Sequence, residues 1–453
     1  MTTALPPGPA IPRVLQMLQW IRRPLPFMEE CARAYGDCFT IGFPSLPGAP
    51  ARSRRPTFVF FSDPEAIREI FTGDGEDLRA GEAASFLEPL LGENSLLVLD
   101  GARHLRERRM MQPPFHGERM QAYGEVMRDI TASVVDGWPV ARPFPIHREM
   151  QHITLEVILR TVFGIDEGPR LTRLRDLLVT LLDRATKPYA LLFQIDLGPW
   201  SPWGRLLRMG NEVDEILFAE IARRRAERSS TRTDVLSMLV AARDENGQPM
   251  TDQELRDEMF TLLVAGHETT ATSLAWAFHR LLANPEVLER IRDELQGVTG
   301  GGSLEPSRVA SLEYLDAVVK ETLRLNPILP VVGRRLVTPM RIGGRDLPAG
   351  VLATPCIYLA HRRPDVWPNP ARFDPTRFVG LRPSPYSFLP FGGGVRRCLG
   401  MAFALYEMKV VLAEVLRRVT LRAAPGHQVR VVRRSITLAP SEGMPVVVDA
   451  VAA

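Results

Sequence analysis

One ten-residue stretch constrains this chain more than any other: Phe391-Gly-Gly-Gly-Val-Arg-Arg-Cys398-Leu-Gly400, set against a strongly helical run from Leu399 to Arg418. Consecutive glycines carry no Cβ, so the backbone can approach something flat and close. Cys398 stands at the entrance of the helix, where free N–H groups and the helix dipole favour a thiolate. A thiolate presented this way can serve as the axial ligand of a haem iron. The plain alternative is a buried structural cysteine beside a turn. The other cysteines, Cys31, Cys38 and Cys356, are too few and too scattered for a disulfide framework or a zinc cluster. A reducing cytosol is the simpler setting.

The most apolar long run, Phe260 to Phe278, contains Ala265-Gly266-His267-Glu268-Thr269-Thr270. Those polar residues mark a buried helix rather than a membrane span. His-Glu-x-x there suggests a zinc protease, but position 271 is alanine where the second histidine is needed. Thr269 can reach back four residues to the carbonyl of Ala265, as mid-helix threonines do.

Elsewhere the pattern is mainly α with a smaller β-rich part. Cys38–Phe43 and Thr57–Phe61 read as a strand pair with a long connection, and Asp63-Pro64-Glu65 as a helix start. Apolar periodicity is helical from about Arg103 to Val298, with breaks near Gly164–Pro169, Gly198–Gly204 and Glu245–Pro249. A helix follows from about Leu312 to Leu325, then short strands after Pro327 and in the tail. Length alone, 453 residues, suggests about three domains. The absence of repeats and clean linkers predicts one interwoven α+β unit over 1–453 instead. A net charge of +3 is too balanced for nucleic acid.

Two further motifs lie ahead of the cysteine and around it. Glu321-Thr-Leu-Arg324 puts two opposite charges at i,i+3 on one helix face, which on a surface is worth only ~0.3–0.5 kcal/mol. Pro370-Ala-Arg-Phe373-Asp-Pro375-Thr-Arg377-Phe378 sits between them and the glycine loop. In order, with F-x-x-G-x-R-x-C-x-G at Phe391–Gly400, these segments resemble the cytochrome P-450 family, and the chain looks like a bacterial member. The resemblance runs from about Pro6 to Val448. Leu5-Pro-Pro-Gly-Pro9 is similar to the proline-rich hinge behind the membrane anchor of eukaryotic relatives. A natural anchor-free bacterial form, working as a cytoplasmic monomer, is the expectation.

The resemblance implies haem b between the oxygen-binding helix and the cysteine-loop helix, with Cys398 on the iron. Phe391, Gly392, Gly400, Ala265 and Gly266 would pack around it, Gly266 leaving room for it. His104 and Arg108, at i,i+4, with Arg334 and Arg396, would meet its propionates. Thr269 would orient oxygen and its waters, and Glu268 would feed protons. Glu321, Arg324 and Arg377 would form a structural triad. The pocket would be lined by Phe86, Leu87, Leu182, Phe260, Val264, Leu329, Val332 and Ile436. That apolar set suits a terpenoid, steroid-like molecule or fatty acid, the first two preferred because no charged residue announces a carboxylate clamp. Electrons would come from a separate ferredoxin or flavodoxin with its reductase, docking near Arg103, Arg106, Arg109 and Arg397. Two other classes share the expected fold. One is a haem-binding sensor or electron carrier, which needs no Glu268–Thr269 pair; the other is an isomerase or dehydratase that needs no reductase.

Overall fold

A computed structural model describes residues 4–45, 55–73, 75, 77–115, 119–165, 168–185, 198, 200–227 and 232–451. The helices that build the centre are α1 (Gly101–Met111), α2 (Ile146–Thr161), α3 (Asp252–Leu282), α4 (Glu313–Leu325) and α5 (Met401–Arg418). The longest, α3, begins where Thr251 Oγ1 accepts from the Glu254 N–H and Glu254 accepts from the Thr251 N–H. This reciprocal cap follows directly from the local Thr-x-x-Glu spelling. Apolar residues all round α3 bury it against α2, α4 and α5.

A smaller sheet flanks the helices. Its strands are β1 (Cys38–Gly42), β2 (Thr57–Phe61), β3 (Leu78–Arg79), β4 (Arg334–Leu336) and β5 (Leu352–Pro355), in the order β1-β2-β5-β4-β3. Only β2 and β5 run parallel. The expected β1–β2 pairing is present, while residues 46–54 of its connection lie outside the described residues. Asp63 caps the next helix by accepting from the Ala66 N–H, and Pro64 occupies its first turn, as its spelling predicts. Near the end, β6 (Val431–Arg434) and β7 (Thr437–Pro440) form a hairpin in which Arg434 faces Thr437. Trp276 of α3 donates its indole N–H to the Leu438 carbonyl at 2.9 Å, which ties that hairpin to the long helix.

The junction of α1 and α3 carries an anomaly. Glu258 is 0% exposed and, among the described residues, neither carboxyl oxygen has a well-aligned hydrogen-bond partner, the Leu96 N–H being the one polar group that eases its charge; one oxygen of Glu107 is also unpartnered among the described residues. Burial, then repulsion from Glu254, pushes Glu107 up to about 7, while burial, then repulsion from Glu107, pushes Glu258 well above the usual carboxyl range. A carboxyl raised on folding weakens the fold as pH climbs from the unfolded value, near 4.5, through the folded one. Glu258→Gln should therefore raise the melting temperature at pH 8, by about 2–4 °C if the relief is roughly 1 kcal/mol. At pH 4 it should change little. An equal shift at both pH values in a thermal melt would reject this assignment.

Candidate active site

The strand Arg334–Leu336, helix α1 and the loop before α5 bring four basic side chains to one place. His104 is buried, and its pKa is pushed down to about 3 by burial, then by Arg396, Arg108 and Arg334. Three guanidiniums from three distant segments thus crowd one imidazole and keep it neutral. Arg396 meets Asp100 and the carbonyls of Leu96 and Leu99. Arg108 donates to the Arg397 carbonyl at 2.7 Å, and Arg334 lies 5.5 Å over the Phe71 ring. Gathering like charges is costly unless a polyanion joins them. The two propionates of a haem fit that requirement.

The glycine loop has the shape its spelling suggests. Gly392 and Gly394 adopt φ of +67° and +65°, a region that L side chains avoid. Gly393 is constrained differently, since a Cβ there would come within 2.3 Å of the Phe71 ring. Phe391 accepts from the Cys398 N–H at 3.0 Å, which folds the loop back on itself. Cys398 is exposed although protein crowds it, so it lines a recess rather than the outer surface. The expectation of a loop that favours the thiolate unaided needs correction. Burial pushes Cys398 above its ordinary value, against the pull of the Gly400 N–H, Arg108 and Arg397. A bound cation such as iron would have to supply the rest of the stabilisation.

The middle of α3 carries a less buried strip. Ala265 is exposed and Gly266 and Thr269 are half-buried, in a helix otherwise largely buried. Thr269 Oγ1 donates to the Ala265 carbonyl at 2.6 Å. Gly266 does not leave space on that strip as expected: a Cβ there would meet Ile158 of α2 at 3.1 Å. Its smallness serves helix packing, because residue 266 has rotated round to the flank.

Glu268 points away from Thr269, as adjacent helical residues do at 100° per residue. It is buried, accepts from Gln151 Nε2 at 2.7 Å and from Arg434 Nε at 2.9 Å, and lies 3.8 Å from His147. Thr272 stands at 3.5 Å and also meets the His147 ring. Gln151, His147 and Arg434 carry no local signal in the sequence, since they come from α2 and the β6–β7 hairpin.

The triad forms a buried knot. Arg324 and Glu321 make a two-pronged ion pair at 2.7 and 2.8 Å, both fully buried. Arg324 also holds the carbonyls of His361, Pro370 and Arg372, and Arg377 approaches Glu321 at 3.5 Å. Burial replaces the weak surface pair that the spacing alone allows.

Of the pocket residues, Phe86, Val264, Leu329, Val332 and Ile436 are half-buried, whereas Leu87 and Leu182 are buried in the main core. Phe260 belongs to the core too: it is buried under the Arg256 guanidinium, 5.1 Å away. The docking arginines also divide. Arg397 is exposed, Arg109 pairs with Glu245 on the surface, and Arg103 donates to Asn94. Arg106 is drawn inward by Asp244, Glu254 and Glu107, so its charge is already compensated. Among the described residues, no helix is long and apolar enough to cross a membrane.

Comparison with known proteins agrees with this geometry. A sequence model of the Cytochrome P450 family matches residues 5–446. Cytochrome P450 135B1 of Mycobacterium tuberculosis is 42% identical over 97% of this chain and 90% of its own length. Cytochrome P450 135A1 of the same species is 36% identical over 98% and 95%. The retinoic acid-bound structure of cyanobacterial CYP120A1 superposes with a TM-score of 0.84, at 26% identity and full coverage of both chains. The cytochrome P450DA heme domain shares the fold with a TM-score of 0.84 at 22% identity, over 99% of this chain and 98% of its own. The chain belongs to the cytochrome P450 family of haem-dependent monooxygenases.

Proposed function

We propose that this chain is a monooxygenase of one folding unit that inserts an oxygen atom into an apolar terpenoid or steroid-like molecule, with fatty acids as the next class. The observation that carries the substrate reading is the makeup of the candidate walls: Phe86, Val264, Leu329, Val332 and Ile436 offer half-buried apolar surface. Similarity to a retinoic acid-bound relative points to the same chemistry. Haem b, held without covalent attachment, supplies oxygen activation when bound. Cys398 would hold its iron, and His104, Arg108, Arg334 and Arg396 its propionates. Thr269, whose hydroxyl hydrogen is engaged in a hydrogen bond to the Ala265 carbonyl, has only oxygen lone pairs left to offer. It would hold a water, and Glu268 would replenish protons after turning from its buried partners. Free, unbridged cysteines suit a reducing cytoplasm. Electrons would come from a ferredoxin or flavodoxin with its reductase, meeting the exposed Arg397 and Arg109.

A spin-state titration tests this reading. Retinoids, terpenes or steroids should shift the Soret band of the holoprotein toward high spin at micromolar concentration, and fatty acids less. A panel in which only polar compounds shift it would overturn the substrate class. With the best binder, Thr269→Ala should keep the spectrum while most reducing equivalents end as peroxide. Unchanged coupling would remove Thr269 from proton handling. Turnover without any electron donor would favour an isomerase instead.

A further inference from the structure

The helix Arg13–Arg22 turns its apolar side outward. At 100° per residue, Ile11, Val14, Leu15 and Leu18 fall on one face, with Arg22 at its end. Val14 is 51% exposed, Leu15 47% and Ile11 38%, while the opposite side buries Gln16 and Trp20 against the protein. A surface helix normally does the reverse. Polar contacts prevent it from rolling over. Gln16 Nε2 donates to the Pro9 and Ile11 carbonyls at 3.2 and 2.9 Å, and Gln16 Oε1 accepts from the Gly42 N–H at 2.9 Å. Arg13 donates to the Phe43 and Arg55 carbonyls and to Thr57 Oγ1, at 3.1 to 3.3 Å. Turning Val14 and Leu15 inward would leave Gln16 and the Gly42 N–H unsatisfied, which is costly in a buried place.

Single exposed apolar residues need no explanation, but these are neighbours on one helix face. The β6–β7 hairpin meets the same helix. Its Arg433 donates to the Trp20 carbonyl at 3.0 Å and lies 5.0 Å over the Trp20 ring, and just before it stand the exposed Val431 and Val432. Charge on these two segments has one sign: residues 1–28 and 419–441 contain no Asp or Glu. Arg22, Arg23, Arg55 and Arg430 are exposed. The first acids along the chain are engaged, Glu30 with Arg23 and Glu29 with the Tyr358 hydroxyl.

We propose that this face docks on an anionic lipid surface, with the helix lying in the plane of the headgroups rather than crossing the membrane. Apolar side chains flanked by arginines, in segments without acids, are what such a surface attracts. A second copy of the chain is the poorer occupant, since a two-fold contact through this face would set the same arginines against each other. Docking does not rest on the substrate class proposed above. It would, however, hold the enzyme where apolar molecules dissolve.

Sedimentation of the holoprotein with vesicles of equal parts phosphatidylglycerol and phosphatidylcholine tests this. Wild type should pellet with them, and at least tenfold less with phosphatidylcholine alone. The double variant Val14→Ser, Leu15→Ser should lose at least tenfold in partitioning, because two apolar side chains no longer leave water. Arg22→Gln should lose about fivefold, and added salt should weaken wild-type binding. Leu381→Ser, which removes an exposed apolar side chain from a different segment, should pellet like wild type. Every variant should keep the wild-type Soret spectrum, which separates lost docking from lost folding. Equal pelleting with both kinds of vesicle would overturn the part played by charge. Binding that survives the double substitution, or falls as far in Leu381→Ser, would overturn docking through this helix. Absence of binding to either vesicle would overturn the proposal as a whole, and a dimer in sedimentation velocity that the double variant abolishes would then assign the face to a second copy.

Discussion

Replacing Cys398 with alanine should abolish the red-shifted Soret band that carbon monoxide gives the reduced haem protein, while Cys31→Ala, Cys38→Ala and Cys356→Ala should leave it intact. The expected loss is complete, because the band reports a thiolate on iron and no other cysteine is placed to replace it. Cys356 is buried against Met28, with its thiol pushed up to about 12 by burial. Cys31 and Cys38 are each pushed up to about 11, on a helix and a strand of the sheet side. Cys398 alone combines exposure into a recess with the Gly400 N–H, Arg108 and Arg397 favouring its anion. The basic cluster should still retain some haem in Cys398→Ala, with a spectrum lacking thiolate character. A persistent red-shifted band in that variant would remove Cys398 from the iron. Carbon monoxide difference spectra of the four variants decide the matter without any substrate.

What the sequence makes legible follows from how far apart the cooperating residues lie. The loop at Phe391–Gly400, the Thr269–Ala265 bond and the Thr251–Glu254 cap are written within ten residues, and each is readable where it stands. The basic cluster is readable only through a resemblance, since α1, β4 and the loop before α5 are joined by the fold alone. Arg434 and Gln151 were invisible because Glu268 meets them across 166 and 117 residues. Gly266 departs from its expectation for a subtler reason. Ala265 is exposed and Thr269 half-buried, but one residue on from Ala265 the missing Cβ is turned onto Ile158. Arg106 shows the converse: a basic helix face looks open in sequence, yet Asp244 and Glu254 arrive from elsewhere to occupy it.

Arg324→Ala should prevent the accumulation of folded haem protein at 37 °C, and Arg324→Lys should rescue little. Both partners of the Glu321–Arg324 pair are fully buried, so removing the guanidinium strands a carboxylate without access to water. Breaking a buried pair in this way costs about 3–5 kcal/mol. Arg377 is the nearest replacement cation, but at 3.5 Å from Glu321 it approaches less closely than Arg324 does. The carbonyls of His361, Pro370 and Arg372 lose their common donor as well, at roughly 1 kcal/mol or more apiece if nothing replaces it. Those carbonyls belong to the irregular stretch that leads into the Phe391 loop, so the loss is felt where the cysteine is positioned. Against a typical net stability of about 5–15 kcal/mol, this removes a large fraction from one residue. Lysine keeps a charge but cannot hold two carboxylate oxygens and three carbonyls with one compact ammonium. The exposed Glu65–Arg68 pair provides a matched control, and Arg68→Ala should leave expression and melting unchanged. Yield of holoprotein and thermal melts of the three variants give the comparison. If Arg324→Ala folded with a melting temperature within about 2 °C of wild type, the buried pair would not hold this part of the structure.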